Sequence, residues 1–144
     1  MADEYDAVTV LDDGEAWRLL ADVPLGRLVT YFGGQLEIFP INFVVDDRTV
    51  LFRTAEGTKL FTTVMSDEVL FEADEHTDEG GWSVIVRGGA HILNTADEIH
   101  AADRTGLIPW VATEKLRYVR ITPTQMSARR FRFGPEPHHG SMPG

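Results

Sequence analysis

The stretch that decides the fold is Val50-Leu51-Phe52-Arg53-Thr54-Ala55-Glu56-Gly57-Thr58-Lys59-Leu60. Apolar and polar side chains alternate along residues 50–54, which is the period-two pattern of a β-strand. After Gly57 the apolar residues recur at helical spacing over residues 60–65. The sequence therefore predicts a strand that passes through a glycine turn into a helix beginning near Gly57 or Thr58.

The predicted start of this helix is a candidate phosphate-binding site. It would gather free backbone N–H groups and the positive end of the helix dipole beside the Thr58 hydroxyl and the cations of Arg53 and Lys59. The alternative is that Arg53 pairs with an acid such as Glu56 and that Lys59 is solvated. The stretch is not a Walker loop, because the first glycine of that motif is missing and Leu60 follows Lys59. Nucleoside triphosphate hydrolysis is therefore disfavoured.

Length and composition predict one soluble globular domain. The chain has 144 residues, of which 43% are hydrophobic and 25% charged, and this length accommodates a single core. It contains no cysteine, which excludes disulfides, thiol catalysis and thiolate metal sites. No apolar run approaches the roughly 20 residues needed to cross a bilayer, and the first residues are acidic. These features predict a cytoplasmic protein without membrane contact.

The charge balance argues against nucleic-acid binding. The formal net charge is −10 and the pI about 4.8, so the overall field repels polyanions. The candidate basic patch near the C-terminus lacks the interleaved aromatic residues of a single-strand binder. It consists of Arg117, Arg120, Arg129, Arg130 and Arg132. Local positive charge within an acidic chain suits a small phosphorylated ligand instead.

The remaining pattern predicts a mainly β protein with a few helices, a six-stranded antiparallel barrel. Short turns join about six strands, and closure into a barrel removes exposed edges. Gly33-Gly34 predicts a hairpin, Pro40 an edge or a bulge, and Gly88-Gly89 a bulge or sharp bend. We expect an N-terminal arm over residues 1–10, the barrel domain over 11–133 and a disordered tail over 134–144. Common hydrolase, zincin and Rossmann motifs are absent from the sequence, which predicts neither a catalytic side chain nor a metal site.

In this order and spacing, several short motifs resemble the pyridoxamine 5′-phosphate oxidase-like family of flavin-binding split barrels. The resemblance covers about residues 11–131. Its motifs are Gly26-Arg27-Leu28, Pro40-Ile41-Asn42-Phe43, Phe52-Arg53-Thr54, Gly57-Thr58-Lys59-Leu60, Gly81-Trp82-Ser83-Val84 and Pro109-Trp110. The family's C-terminal Arg-x-His element, which binds the phosphate of vitamin B6 substrates, is missing. The resemblance therefore implies the fold and the cofactor rather than vitamin B6 oxidation.

The resemblance implies a homodimer that binds FMN in two equivalent clefts at the subunit interface and acts on a small molecule. The cofactor-binding residues it implies are Asn42, Phe43, Arg53, Thr54, Thr58, Lys59, Leu60, Ser83 and Trp110. Arg53, Thr54, Thr58 and Lys59 would bind the phosphate, in agreement with the helix start inferred above. The backbone of residues 42–43 would run beside the isoalloxazine, Ser83 would lie near the ring or ribityl chain, and Trp110 would approach from the partner subunit.

Two alternatives remain open at the level of sequence. One is a flavin-binding module without turnover, acting as a carrier or sensor. The other keeps the barrel but exchanges the cofactor for a deazaflavin or haem, as related barrels do. A phosphate-binding helix start would accept either flavin. Haem would need an axial ligand, for which His91 is the candidate, because it is the one histidine on a predicted strand.

Overall fold

The computed structural model describes residues 7–65, 67–108 and 116–134. Three helices and seven strands are found in these parts of the chain. In chain order they are β1 (Val8–Val10), α1 (Asp13–Ala21), β2 (Leu25–Phe32), β3 (Gln35–Asp46), β4 (Thr49–Ala55), α2 (Lys59–Thr63), β5 (Val69–His76), β6 (Gly80–Ile92), α3 (Ala96–Asp103) and β7 (Leu116–Arg132).

The strands form one closed antiparallel barrel. The order is β1-β7-β4-β3-β2-β5-β6, and β6 pairs again with β7. This second pairing closes β2 to β7 into a six-stranded barrel, and the short β1 adds to the far part of β7. The predicted fold, a mainly β six-stranded antiparallel barrel with a few helices, is confirmed.

Two hydrophobic clusters lie on the two sides of the barrel wall. The interior is filled by alternate residues of the strands together with one face of α1, including Phe52, Phe71 and Leu20, all fully buried. A second, smaller cluster lies outside the wall, where α3 covers Leu51 and Tyr118. Side chains on both faces of β4 are therefore buried, which explains why its sequence is almost continuously apolar.

Three local sequence signals have the structural role expected of them. Gly33 and Gly34 have φ values of 60° and 80° and form the β2–β3 hairpin turn, for which glycine carries no steric cost. The register of β6 against β7 shifts between Arg87 and Gly88, which confirms the predicted bulge. Pro40 pairs with β2 on one side, and the β3–β4 ladder begins only at Phe43, so the proline lies at an edge.

The ends of the chain are described only in part. Val8–Val10, which we expected to belong to the N-terminal arm, pairs with Arg129–Phe131 of β7. Residues 1–6 and all of the predicted tail except Gly134 lie outside the described residues, so the arm and tail remain predictions. Within the described ranges, no helix combines the length and apolarity needed to cross a membrane.

Gly26 and Gly89 offer a matched test of barrel packing. A Cβ on Gly26 would lie 2.4 Å from Cζ of the buried Phe71 ring, whereas a Cβ on Gly89 would have no neighbour within 4 Å. We expect Gly26→Ala to lower the free energy of unfolding by about 1–3 kcal/mol, because a packed core does not accept extra volume. Gly89→Ala should leave it unchanged or slightly higher. Urea unfolding measures both, and equal losses would contradict this packing.

Candidate functional site

The barrel wall splits between β3 and β4. These two strands share four residue pairs, the last of which is Phe43 opposite Phe52. Beyond that pair β4 continues along β7 only, and the first part of β3 runs along β2 only. Asn42 and Arg53, which would be the next pair, therefore lie on opposite sides of a gap. We call this gap the split, and α2 begins beside it.

Arg53 lies on β4 at the edge of the split and is a cation with an unused hydrogen-bond donor. Its guanidinium carbon lies 4.6 Å from the centre of the Tyr118 ring, a cation–π distance. The Nε atom is buried and has no hydrogen-bond partner among the residues that the structure describes. A buried donor left unpaired costs about 1–3 kcal/mol. This arrangement therefore favours a ligand that brings an acceptor oxygen to Arg53.

Tyr118 is itself held in place beneath Arg53. Its hydroxyl donates a hydrogen bond of 2.7 Å to Oδ1 of Asp103 in α3. Burial and this carboxylate raise the pKa of Tyr118 above its usual value, although the charge of Arg53 opposes them. The phenol consequently stays neutral at physiological pH and presents a stable aromatic face to the guanidinium.

Thr58 and Thr54 form a small hydroxyl network at the start of α2. Thr58 caps the helix: its Oγ1 accepts from the N–H of Phe61 at 3.1 Å and donates to the carbonyl of Ala55 at 2.7 Å. The Oγ1 of Thr54 lies 3.3 Å from that of Thr58. Because the Thr58 hydrogen is already used, Thr54 is the donor of this pair. Thr54 thus holds the hydrogen that can turn toward a ligand.

Lys59 bridges the split through an ion pair. Its Nζ lies 2.6 Å from Oε1 of Glu37 on the separated part of β3. The lysine side chain is 61% exposed, and exposed pairs of this kind contribute about 0–1 kcal/mol. A phosphate could therefore displace Glu37 at little cost. The next residue, Leu60, packs against the barrel core and fixes the position of the helix.

Asn42 and Phe43 have different roles at the end of the β3–β4 ladder. The Nδ2 of Asn42 donates a 2.9 Å hydrogen bond to the carbonyl of Ile108, which connects β3 to the segment after α3. Phe43 is buried, its ring centre lies 4.7 Å from that of Phe71, and its N–H donates to the carbonyl of Pro24. Phe43 thus shapes the wall with its ring and has no free N–H for a ligand.

Ser83 is not a neighbour of Arg53 in the sheet. It is paired with Asp74 of β5 and Arg129 of β7, whereas Arg53 is paired with Tyr118, near the other end of β7. The strand pairings therefore do not place Ser83 beside the residues predicted to bind phosphate. Trp110, the remaining predicted contact, lies outside the described residues.

Ser83 instead lines a second, acidic cleft of about 360 Å³. The other lining residues are Glu72, Asp74, Glu75, His76, Phe131 and Phe133. Arg27 of β2 reaches two of these acids: its Nη1 lies 2.8 Å from Oε1 of Glu72 and 3.0 Å from Oδ2 of Asp74. Burial and the neighbouring Asp74 raise the pKa of Glu72 from 4.5 to about 7, against the opposing effect of Arg27. Glu72 can therefore change its charge near neutral pH.

Sequence reasoning missed the partners that complete these sites. Lys59 pairs with Glu37, and Arg53 lies on the ring of Tyr118. Arg27 pairs with two carboxylates. All of these partners come from strands that are distant in the sequence. Their strand alternation was visible in the sequence, but the register that pairs the strands was not. The histidine named as a candidate haem ligand, His91, has its Nε2 3.7 Å from Oε2 of Glu98 on α3.

The comparison with protein families agrees with this architecture. Residues 12–130 match the family described as pyridoxamine 5′-phosphate oxidase. The chain belongs to this family. The extent of the match agrees with the resemblance drawn from the short motifs.

Individual proteins similar to this chain extend the comparison. An uncharacterized protein of Mycobacterium tuberculosis is 52% identical over 94 residues, covering 65% of this chain and 86% of that protein. The structure of the FAD binding protein from Mycobacterium smegmatis shares 55% identity, with a TM-score of 0.81 over 88% of this chain and 100% of that one. A conserved protein of unknown function from Corynebacterium diphtheriae shares 38% identity and a TM-score of 0.75, covering 88% and 99% of the two chains.

The charge of Glu72 makes stability depend on pH. Because its pKa is higher in the folded chain, its stabilising contribution is complete below about pH 4.5 and is lost as the pH rises through about 7. Glu72→Gln, which mimics the protonated form, removes this titration. We therefore expect the unfolding free energy of the variant, relative to wild type, to rise between pH 5 and pH 8 in urea titrations.

The control for this experiment is Glu15→Gln, which makes the same change of charge on α1 beside Arg130. It should shift the unfolding free energy by a similar amount at both pH values. A Glu72→Gln difference that stays constant from pH 5 to pH 8 would contradict the assignment of the titration to Glu72.

Proposed function

We propose that this member of the family binds a flavin at the split, with the phosphate of the ribityl chain between Arg53 and the start of α2. The observation that carries the proposal is the buried Nε of Arg53, which lacks a partner among the described residues. Thr54 and Lys59 add a rotatable hydroxyl and a weakly held cation within the same segment. Charge-assisted bonds to phosphate oxygens would pair the Nε of Arg53 and would replace the present partners of Thr54 and Lys59.

The flavin predicted from the sequence resemblance is FMN, and FAD is a second candidate. The 55% identical relative from Mycobacterium smegmatis is named as an FAD binding protein, which favours FAD. FMN, FAD and deazaflavin cofactors all carry a phosphate on the ribityl chain, so the same donors can serve each of them. Parallel titrations with FMN and FAD, followed by quenching of flavin fluorescence, decide between the first two.

The ring would lie along the split, beside Asn42 and Phe43. Since the N–H of Phe43 is already bonded to Pro24, the polar contacts on this side would come from Asn42 and from backbone carbonyls. Ser83 is not beside Arg53 in the sheet, and we assign its contact with the flavin to a second copy. We accordingly include the homodimer in the proposal, with Ser83 and Trp110 as candidate contacts from the partner.

We propose that the bound flavin serves an oxidoreductase acting on a small molecule. A flavin accepts hydride at N5, and the protein supplies binding, orientation and nearby charge. No nucleophilic side chain is needed for this chemistry. Stopped-flow mixing with NADH or NADPH tests it, because loss of the 450 nm flavin absorbance is expected for an oxidoreductase that uses either donor. A flavin that remains oxidised with both would favour a carrier or sensor.

The double variant Arg53→Ala/Lys59→Ala tests the phosphate site. Each charge-assisted contact is worth roughly 1.5 to 3 kcal/mol, so we expect flavin affinity to fall by at least about 10-fold per contact. The free energy of unfolding should change little, because Lys59 is exposed and Arg53 has an unsatisfied donor. Flavin fluorescence quenching measures the affinity, and circular dichroism checks the fold.

The matched control is Arg18→Ala, which removes an exposed cation from the last turn of α1. It lowers the positive charge of the chain without touching the split, so flavin affinity should be retained. If the double variant binds flavin as tightly as Arg18→Ala does, the phosphate site is elsewhere.

Glu37 provides a test in the opposite direction. Its carboxylate competes with a ligand phosphate for Lys59, so Glu37→Gln should tighten flavin binding by a few-fold. Combining Glu37→Gln with Lys59→Ala should abolish this gain in flavin affinity, because the lysine for which Glu37 and the phosphate compete is then absent. A gain that persists without Lys59 would show that Glu37 acts by general charge alone.

A further inference from the structure

The aromatic ring beneath Arg53 belongs to a residue whose backbone is held on both sides. Tyr118 is paired with Arg53 across β4 and β7, so the two side chains lie on the same face of the sheet. On the other side, the carbonyl of Tyr118 accepts a 3.0 Å hydrogen bond from the N–H of Leu93. Tyr118 is only 5% exposed. It therefore offers the guanidinium a fixed support.

This support is a neutral ring rather than an acid. Glu56, the acid close to Arg53 in the sequence, pairs with Arg117 at 2.9 Å instead. The guanidinium carbon of Arg53 lies 4.6 Å from the centre of the Tyr118 ring. A carboxylate in that place would neutralise the guanidinium, whereas a ring holds the cation and leaves its charge available to an anion.

The hydroxyl of Tyr118 is anchored by Asp103, the last residue of α3. The phenol donates to Oδ1 of this carboxylate at 2.7 Å. A negative charge at the C-terminal end of a helix is unfavourable, because it lies at the negative end of the helix dipole. The bond to Tyr118 gives Asp103 a role that the helix itself does not need. A phenol that donates to a carboxylate also gains electron density in its ring, which strengthens its attraction for a cation.

Both ends of α3 are fixed. At its start, Thr95 and Glu98 form a capping box. After its end, the N–H of Thr105 donates to the carbonyl of Ala102 at 3.0 Å, and the Thr105 hydroxyl donates to the same carbonyl at 2.6 Å. Leu107 then packs into the hydrophobic cluster outside the barrel wall. The carboxylate at the end of the helix consequently has a defined position relative to the wall.

The same segment reaches the opposite edge of the split. The carbonyl of Ile108 accepts a 2.9 Å hydrogen bond from Nδ2 of Asn42. Residues 96–108 thus contact the edge that carries Asn42 directly and the edge that carries Arg53 through Tyr118. We call residues 96–108 the brace. Because it is attached on both sides, the brace connects the two edges between which the flavin is proposed to bind.

We propose that Asp103 and Tyr118 are positioning residues of the phosphate site, through which the brace holds Arg53 ready for the phosphate of the ribityl chain. The proposal rests on the phosphate site of the proposed function and names the residues that orient it. Both residues act through Arg53, since Asp103 fixes the phenol and the ring of Tyr118 fixes the guanidinium. They thereby favour phosphorylated flavins over riboflavin, which has the same ring and ribityl chain without a phosphate.

Preorganisation is the physical reason for this selectivity. A free arginine side chain loses rotamer freedom when it binds an anion, and that loss weakens binding. Here the ring of Tyr118 restricts Arg53 before the ligand arrives. A cation–π contact of this kind corresponds to about 2- to 30-fold in an equilibrium constant. Loss of the ring should therefore be measurable in the affinity for a phosphorylated ligand.

The ratio of the dissociation constants for riboflavin and FMN measures recognition of the phosphate alone. The two ligands share the isoalloxazine and the ribityl chain, so damage to the fold or to the site of the ring changes both constants together. Quenching of flavin fluorescence gives both constants. FAD takes the place of FMN in this ratio if the parallel titrations with FMN and FAD select it.

Four variants of Tyr118 and Asp103 test the proposal. Tyr118→Leu, which removes the ring, should lower the ratio at least about 5-fold. Tyr118→Phe and Asp103→Ala, which each remove the anchoring hydrogen bond, should lower it about 2- to 5-fold. Asp103→Asn keeps an acceptor oxygen for the phenol and should stay within about 2-fold of wild type. An unchanged ratio in Tyr118→Leu would overturn the proposal. Unchanged ratios in both Tyr118→Phe and Asp103→Ala would overturn the anchoring role of Asp103.

Val86→Ala is the control for lost stability. Val86 is fully buried in the barrel interior, on the other side of the wall from the brace. Its truncation should destabilise the barrel and leave the ratio unchanged. A fall in the ratio of Val86→Ala as large as that of Tyr118→Leu would show that lost stability is sufficient, and the positioning role would be overturned.

The double variant Arg53→Ala/Tyr118→Leu tests whether Tyr118 acts through Arg53. Its ratio should equal that of Arg53→Ala, because the ring then has no guanidinium to position. A further loss as large as that caused by Tyr118→Leu alone would show that the ring affects the phosphate by another route, and the positioning role would be overturned.

Arg53→Ala separates this inference from the proposed function. If Arg53→Ala keeps the wild-type ratio, the phosphate site is wrong and the positioning role fails with it. If Arg53→Ala lowers the ratio and Tyr118→Leu does not, the phosphate site stands and only the positioning role fails.

Discussion

The double pairing of β7 is the constraint on which the rest of the structure depends. One strand, Leu116–Arg132, pairs with β4 near its start and with β6 along most of its length. It thereby closes the barrel and leaves β3 free to separate from β4. Without the β6–β7 pairing the barrel would be an open sheet, and without the β4–β7 pairing Arg53 would have no aromatic ring of β7 to rest on. The candidate site is therefore a product of topology as much as of its own residues.

The sequence carried enough information for the elements but not for their pairing. Residues 50–60 predicted β4, the turn and the Thr58 cap, and glycine and proline positions predicted the hairpin, the bulge and the edge. The helix after Thr58 ends at Thr63, earlier than its apolar spacing indicated, because threonine is a weak helix former. The partners of Lys59 and Arg27 lie on strands that are distant in the sequence. A change of one residue in the register of these strands would place the partner side chains on the opposite face of the sheet.

The groups at the split are held by interactions that a ligand can replace. Lys59 is engaged in an exposed ion pair, Thr54 in a long hydroxyl contact, and Arg53 in a cation–π contact that leaves its Nε unpaired among the described residues. Each of these contacts can be rearranged at a small cost in free energy. The surrounding wall contains the buried rings of Phe43, Phe52 and Phe71, and close packing of this kind resists rearrangement. Weak polar contacts on a rigid apolar frame are suited to reversible binding.

The separation of β3 from β4 also creates a hazard. Residues 35–42 present one row of backbone groups without a neighbouring strand from β4, and such rows recruit strands of other molecules into aggregates. Pro40 interrupts that row, since it has no N–H to donate and its ring obstructs an approaching strand. The same opening that admits a ligand is thus protected against misassembly by one residue, and the chain can keep its barrel open without becoming a template for fibrils.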